Sequence, residues 1–376
     1  GGTFMSDFPI SGHVAPGFEP VREAFEANFE AGLELGAGFA VWIGEDLVID
    51  LQGGWADRGK TRVWDSQTLV PVFSTTKPIS ALVVAWAIEA AGPDITYETP
   101  VSEVWPEFGA HGKETVTIAQ MLAHQSGLPG FTEPIDPELW MDPAALAVAL
   151  ADLAPMWPLG EGSGYHPLTW GYLAGELVQR IAGRSLGTIL REEITGPGEI
   201  DFWIGLPDSE HERVAELKRP TAMAELGELN EFNKAAFLTK WAAPNRGGAD
   251  WKRIEIPSAN GHGTAASTAR LYGGYAGTLD FGLSDKTFAA LTRSRSNGYD
   301  RVLPYEIDFA AGVMRNTQKV YGPNPASFGH SGWGGSLGLA DPDRRLSAAY
   351  VMNRQSNILQ GDPRALALVG ALYGCL

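Results

Sequence analysis

The sequence predicts an α+β fold: one antiparallel sheet, flanked by helices, takes strands from both ends of the chain, with a mostly helical segment inserted between them. Three observations lead there. Strand-like runs occur early, at 39–43 and 47–51, and return only after residue 309. Between about 95 and 260 the patterns are helical, broken by Pro and Gly, with few alternating runs. A stretch at 73–90 is apolar on most sides, as expected of a central, buried helix. These observations divide the chain into an α/β sandwich lobe over 5–94 and 265–376 and a helical lobe over 95–264. A ligand is expected in the cleft between them.

Each element has its own signal. Val21, Phe25, Phe29 and Leu33 recur every four residues, an apolar stripe along one helix face that Gly36 to Gly38 should end. Gly44-Glu45-Asp46 joins the two early strands as a hairpin. Gly92-Pro93 stops the apolar helix. The clearest helices of the middle segment are 118–122, 143–153 and 170–181. Ser267 reads as the N-cap of a helix running through Tyr272. Strands are expected at 309–314, 327–333, 337–340 and 346–352, the last two joined by Asp341-Pro342-Asp343. Asp362 as N-cap and Pro363 at the first helical position open a closing helix through Tyr373.

Composition removes several classes of function. The 376 residues carry 28 Lys+Arg against 45 Asp+Glu, a formal charge of −17, which disfavours binding to nucleic acid or to anionic membrane surfaces. At 44% hydrophobic and 19% charged, the chain can bury a large core. No apolar run approaches the ~18 residues of a membrane span. Gly1-Gly2-Thr3-Phe4 reads as a cloning remnant ahead of a natural start at Met5, without the features of a secretory signal. Cys375 is the single cysteine and can form neither an internal disulfide nor a cysteine metal site. The expected compartment is therefore the cytoplasm. The seven histidines are scattered without metal-ligand spacing, so neither metal nor cofactor is expected.

Ser74-Thr75-Thr76-Lys77 opens the buried helix. Residues three apart share a helix face, so the Ser74 hydroxyl can meet the Lys77 amine. Burial drives a lysine toward its neutral form, which can accept the serine proton. With 20 serines and nine lysines chance readily supplies one such pair, and Pro78 is a mild objection to a regular first turn. Tyr165-His166-Pro167 follows a Gly-rich loop that could release Tyr165 into a cleft, where a tyrosinate beside an ammonium would serve as a base. A Tyr packed between loop and helix is the plainer reading. Gly329-His330-Ser331-Gly332-Trp333-Gly334-Gly335 lies on a late strand, where glycines let a substrate approach the backbone.

Together these motifs, in this order and spacing, resemble the serine β-lactamase and penicillin-binding-protein superfamily, over roughly residues 20–376. The branch most similar is the class C β-lactamase-like esterases, or family VIII carboxylesterases. Met121-Leu122-Ala123-His124-Gln125-Ser126-Gly127-Leu128 resembles the Leu-Leu-x-His-x-Ser-Gly-Leu segment of that family, and Trp333-Gly334-Gly335 its Trp-Gly-Gly. The resemblance implies a β-lactamase/transpeptidase-like fold and a serine hydrolase with an acyl-enzyme on Ser74. Lys77 and Tyr165 would share the proton transfers, and the backbone N–H groups of Ser74 and Trp333 would hold the oxyanion. Gly332 and Gly334 would shape the substrate edge, and His330 would tune the Tyr165–Lys77 pair or touch substrate.

Two departures bear on the substrate, an expected small-molecule ester. Pro167 stands where the β-lactamases carry an Asn amide, and His330 stands where many relatives carry a Lys for the drug carboxylate. Both favour an uncharged ester over a penicillin. Gly334-Gly335-Ser336-Leu337-Gly338 also matches the nucleophile elbow of α/β-hydrolases, but no histidine follows Ser336, so that reading fails and Ser336 is assigned to a sheet turn. His124 is expected to hold the Ser126-Gly127 turn, and His262 to line the cleft or a loop. Trp333 and some of Trp140, Trp157 and Trp241 are expected to wall an apolar acyl pocket.

Overall fold

The computed structural model describes residues 8–243 and 247–376, so the reading of Met5 and the residues before it lies outside the described part. Strand β1 (Ile10–Val14) leads into helix α1 (Glu19–Glu30), which buries Val21, Phe25 and Phe29. Leu33 lies beyond the helix and is 44% exposed, because the chain turns off at Gly32 with φ +73°. Gly36 to Gly38 therefore end no helix; they belong to β2 (Gly36–Ile43). The hairpin to β3 (Asp46–Gly54) is present, with Phe39 opposite Leu51 and Val41 opposite Ile49.

After β4 (Val70–Pro71) a single 3-10 turn, Phe73–Thr75, hands over to α2 (Thr76–Ala91), most of whose residues are buried. Its core position explains why no polar stripe shows in the sequence. Pro78 falls in the first turn, where N–H groups lack an intrahelical acceptor anyway, so the objection to it lapses. Helices Ile118–Leu122, Pro143–Ala151 and Thr169–Ala182 follow as expected. Strands β5 (Phe202–Ile204) and β6 (Gly261–Gly263) add to β4 a small three-stranded sheet in the order β4-β6-β5, which no sequence pattern announced.

Helix Ala265–Ala276 is capped by Thr264, not Ser267. Thr264 Oγ1 accepts the Ser267 N–H while Ser267 Oγ accepts the Thr264 N–H, so Ser267 is the far member of a reciprocal cap. The strand expected at 309–314 is instead the junction of two: β7 (Ser296–Tyr299) pairs with β8 (Glu306–Phe309), and β8 turns into β9 (Met314–Arg315). The break is at Gly312, φ +106°, where a Cβ would sit 2.7 Å from both Ala81 Cβ and the Trp170 ring. Next come β10 (Phe328–Ser331), β11 (Leu337–Asp341) and β12 (Leu346–Met352). Trp333 lies past the end of β10, in the turn to β11. The closing helix is Pro363–Gly374, with Asp362 Oδ1 accepting the Arg364 N–H.

Nine strands form one antiparallel sheet in the order β1-β3-β2-β12-β11-β10-β9-β8-β7. N- and C-terminal strands share it, as the sequence predicts, and the fold is α+β with a flanked antiparallel sheet. One face packs Phe39, Val41, Leu339 and Tyr350 against α1 and the closing helix. The other packs Ala40, Ala340 and Val351 against α2 and helix Ala265–Ala276. Because both faces are covered, β12 is buried at every position and shows no alternation.

Candidate active site

Ser74 sits in the 3-10 turn ahead of α2, and Lys77 one turn further on. The preceding residue, Phe73, has φ +48°, a left-handed conformation costing on the order of 1 kcal/mol for a non-glycine residue. Just after this kink the Ser74 hydroxyl faces Lys77 and Tyr165. Lys77 Nζ lies 2.8 Å from Ser74 Oγ and 2.8 Å from Tyr165 Oη, and Tyr165 Oη lies 2.6 Å from Ser74 Oγ. The three residues singled out in the sequence thus form a closed triangle.

Lys77 is fully buried. Its amine also donates to the Pro167 carbonyl at 2.7 Å and reaches the Ser258 carbonyl at 3.4 Å, and among the described residues no carboxylate is bonded to it. Burial pushes it well below the usual lysine value. Burial likewise pushes the Tyr165 phenol up, with the Ser74 hydrogen bond pulling the other way. Both shifts favour the neutral forms, an amine over an ammonium and a phenol over a tyrosinate.

Residues from two distant segments, 124–128 and 300–303, hold Tyr165. The Asp300 carboxylate, buried, accepts the Tyr165 N–H at 2.9 Å, the Val302 and Leu303 N–H groups at 3.0 Å each, and the Ser163 hydroxyl at 2.8 Å. His124 Nδ1 accepts the His166 N–H at 2.9 Å, and the His124 carbonyl accepts the Gly164 N–H at 3.0 Å. His166 Nε2 accepts the Leu128 N–H and meets Ser126 Oγ, both at 3.0 Å. The Ser126-Gly127 turn is therefore held by His166, not by His124 as expected; His124 grips the chain on either side of Tyr165. Asp300 lies 135 residues from Tyr165 and carried no sequence signal. His166 was visible within the Tyr165 motif, but its partner was not.

The β10–β11 turn closes the site from the other side. Ser336 Oγ donates to the Val72 carbonyl at 2.9 Å and lies 3.0 Å from Thr75 Oγ1, so it is a buried tie between this turn and the Ser74 segment, in keeping with its assignment to a sheet turn. At Gly332 a Cβ would lie 2.1 Å from Ser336 Oγ and 2.6 Å from the Val72 carbonyl oxygen, so only glycine lets this turn sit so close to the Ser74 segment. The Gly334 carbonyl accepts Arg364 Nη2 at 2.9 Å. Arg364 in turn bonds Asp362 and, through Nη1 at 2.6 Å, the buried Glu34. None of these three supports was legible in the motifs.

Ser74 and Tyr165 open onto a cavity. Phe73, Trp140, Trp251 and Trp333 wall it, and among the described residues no Lys, Arg, Asp or Glu lines it. Phe73 and Trp333 meet edge to face at 5.6 Å. Of the expected tryptophans, Trp140 and Trp333 line the cavity, while Trp157 packs against Gly164 and His166 behind Tyr165. Trp241 stands behind Trp140, whose indole N–H donates to its carbonyl. His262 is buried within β6, opposite Pro71 and Trp203, and does not line the cavity. His330, 2% exposed, does line it; burial first, then the nearby Lys77, lowers its pKa to about 3, leaving a neutral imidazole.

A serine with a lysine and a tyrosine at hydrogen-bond distance, at a cavity in an α+β fold of this topology, defines a serine hydrolase. The beta-lactamase family profile matches residues 25–371, and the chain belongs to that family. The esterase/beta-lactamase LipL of Mycobacterium tuberculosis is 33% identical over 364 residues, 92% of this chain and 83% of LipL. Among solved structures, a penicillin-binding protein homolog from Caulobacter crescentus aligns with a TM-score of 0.94 at 50% identity, over 98% of this chain and all of that one. A family VIII carboxylesterase aligns at 0.89 and 38% identity, again over 98% and 100%.

Proposed function

We propose that this protein is a carboxylesterase cleaving short-chain, uncharged esters through an acyl-enzyme on Ser74. The observation that carries the reading is the Ser74–Lys77–Tyr165 triangle. In its neutral form Lys77 has two N–H bonds, one for the Pro167 carbonyl and one for Tyr165 Oη, and a lone pair for the Ser74 hydroxyl. Tyr165 donates to Ser74 Oγ.

As Ser74 Oγ bonds to the ester carbonyl carbon, its proton passes to Lys77 Nζ. The carbonyl oxygen becomes an oxyanion, facing the backbone N–H groups of Ser74 and Trp333. When the carbon–oxygen bond to the alcohol breaks, the leaving alkoxide takes the Tyr165 proton, which Lys77 replaces across 2.8 Å. Water then attacks the acyl carbon, gives its proton to the same pair, and Ser74 recovers its own. The net change is ester and water to acid and alcohol. The apolar wall, without a cation among the described residues, supports uncharged substrates, since a penicillin carboxylate would be desolvated against it.

The test is a fluorophosphonate probe with peptide mass mapping, beside a panel of acetate to butyrate esters, long-chain esters and a chromogenic cephalosporin. The expected result is one adduct, on Ser74, and turnover concentrated in the short esters. An adduct on Ser331 or Ser336, or cephalosporin turnover equal to ester turnover, would sink the reading.

A further inference from the structure

The β10–β11 turn, which carries the Trp333 N–H, is closed by two hydrogen bonds of its own. The Gly332 N–H donates to the Ser336 carbonyl at 2.8 Å, and the Gly335 N–H to the Gly332 carbonyl at 3.1 Å. The Gly332–Trp333 peptide is trans, so the Trp333 N–H points opposite to the Gly332 carbonyl, and its aim follows the plane of the turn. That plane is set from outside. The two carbonyls that follow the Trp333 N–H take three donors from residues 355–364. Gln355 Nε2 reaches the Trp333 carbonyl at 3.3 Å, while the Ser356 N–H and Arg364 Nη2 meet the Gly334 carbonyl at 2.8 and 2.9 Å. The seat is close: a Cβ at Gly334, φ +95°, would lie 2.6 Å from Gln355 Cγ, and one at Gly335, φ +127°, 2.6 Å from Asp362 Oδ2. Arg364 is the rigid member of this seat. Its side chain is 5% exposed, and each guanidinium nitrogen is bonded. Nε and Nη2 meet the Asp362 carboxylate at 3.1 and 3.0 Å, and Nη1 meets Glu34 Oε1 at 2.6 Å and the Arg354 carbonyl at 2.8 Å. Arg364 does not line the substrate cavity.

We propose, on the footing of the esterase reading above, that Arg364 is a positioning residue for the oxyanion. Its fork fixes the Gly334 carbonyl and, through the turn, holds the Trp333 N–H where charge develops on the ester oxygen. The Ser356 N–H also holds Gly334, but it belongs to a loop and is a neutral donor. A charged, planar donor anchored on two carboxylates is stronger and leaves the carbonyl one direction to face. An oxyanion donor acts best when it is in place before the reaction, since reorienting it costs part of what it contributes. Because Arg364 stands outside the cavity, its loss should be felt in the tetrahedral state and hardly at all in substrate binding.

The experiment measures kcat and KM on a butyrate ester, and the Ki of butylboronic acid, for wild type, Arg364→Lys and the double variant Arg364→Met with Glu34→Gln. Ser74 Oγ bonds to the boron and passes its proton to Lys77, so the adduct is a tetrahedral anion whose Ki reports oxyanion stabilisation without turnover. Lysine keeps the charge but cannot bridge Gly334, Asp362 and Glu34 at once. The double variant removes the cation together with one buried carboxylate, and it carries the test if the lysine variant does not fold. In both, kcat should fall on the order of 10–100-fold, less than the ~10²–10³ for losing an oxyanion donor outright, with KM within about twofold. The boronic acid Ki should rise by the factor that kcat/KM falls. A folded variant with wild-type kcat, or one whose lost turnover leaves that Ki unchanged, would overturn this assignment alone. Absence of ester turnover and of a Ser74 adduct in wild type would overturn it together with the esterase reading.

Discussion

Asp300 offers the sharpest test of how the site is held, because two substitutions at it should part widely. Its Oδ2 accepts three backbone N–H groups, those of Tyr165, Val302 and Leu303, and its Oδ1 accepts the Ser163 hydroxyl. Asp300→Ala strands three buried amide donors, each worth about 1–3 kcal/mol of desolvation. The hydroxyl can rotate away, and water entering the vacated space can recover part, so the net loss should be about 4 kcal/mol. Asp300→Asn behaves differently. Its carbonyl oxygen can take the three N–H groups, and its amide can donate to Ser163 Oγ, a hydroxyl able to accept. That change should cost about 1 kcal/mol, the difference between charged and neutral acceptors. Activity should follow position: a phenol shifted by about 1 Å can lose ~100-fold in rate. The alanine variant should therefore lose kcat with little change in KM, and asparagine should restore most of it. Urea unfolding with a check for constant m, and initial rates on a butyrate ester, read both effects. An alanine variant within 1 kcal/mol of wild type, with full turnover, would refute the positioning role.

Lys77→Met and Tyr165→Phe should each leave a folded protein with ester turnover lowered ~10²–10⁴-fold, the range for losing general acid–base help. The double variant should lose far less than the product, since the two act as one unit; a Tyr165→Phe enzyme near full activity would show the proposed proton route to be wrong. A second prediction concerns pH. Glu34 is raised from 4.5 to about 7, chiefly by burial, with Arg364 pulling it back. Its native carboxyl holds a proton through a window where the unfolded one has released it, so stability from this group falls as pH rises from about 4.5 to 7 and is level outside. Glu34→Gln removes that slope, and its stability relative to wild type should gain about 2–3 kcal/mol between pH 5 and 8 by urea unfolding. A constant gap would show that Glu34 does not titrate there.

What the sequence revealed and what it hid divide along physical lines. Ser74, Lys77 and Tyr165 were legible because catalysis needs particular atoms at particular spacing, and those leave motifs. The sheet was legible at β12 and the β2–β3 hairpin, where β-rich runs are bounded by turn residues. It was misread at 309–314, where the residues suit a strand but Gly312 must pass between Ala81 and Trp170. The small sheet β4-β6-β5 was missed because strands of two and three residues carry no period. Asp300, Arg364 and the His124–His166 pair were invisible as supports, since each acts by bonding a backbone group far away in the chain.

The pairing of β2 with β12 sets a constraint on how this chain can be made. Ala40 meets Ala349 and Ile43 meets Leu346, partners about three hundred positions apart. As the chain emerges from a ribosome, the β2–β3 hairpin must wait, with one apolar edge uncovered, until nearly all the remaining sequence has been synthesised. Loop closure of that length is slow, and an open edge is a template for wrong partners. The β10–β11 turn beside Ser74 arrives in the same late stretch, so a nascent chain would carry Ser74, Lys77 and Tyr165 long before it could acylate anything.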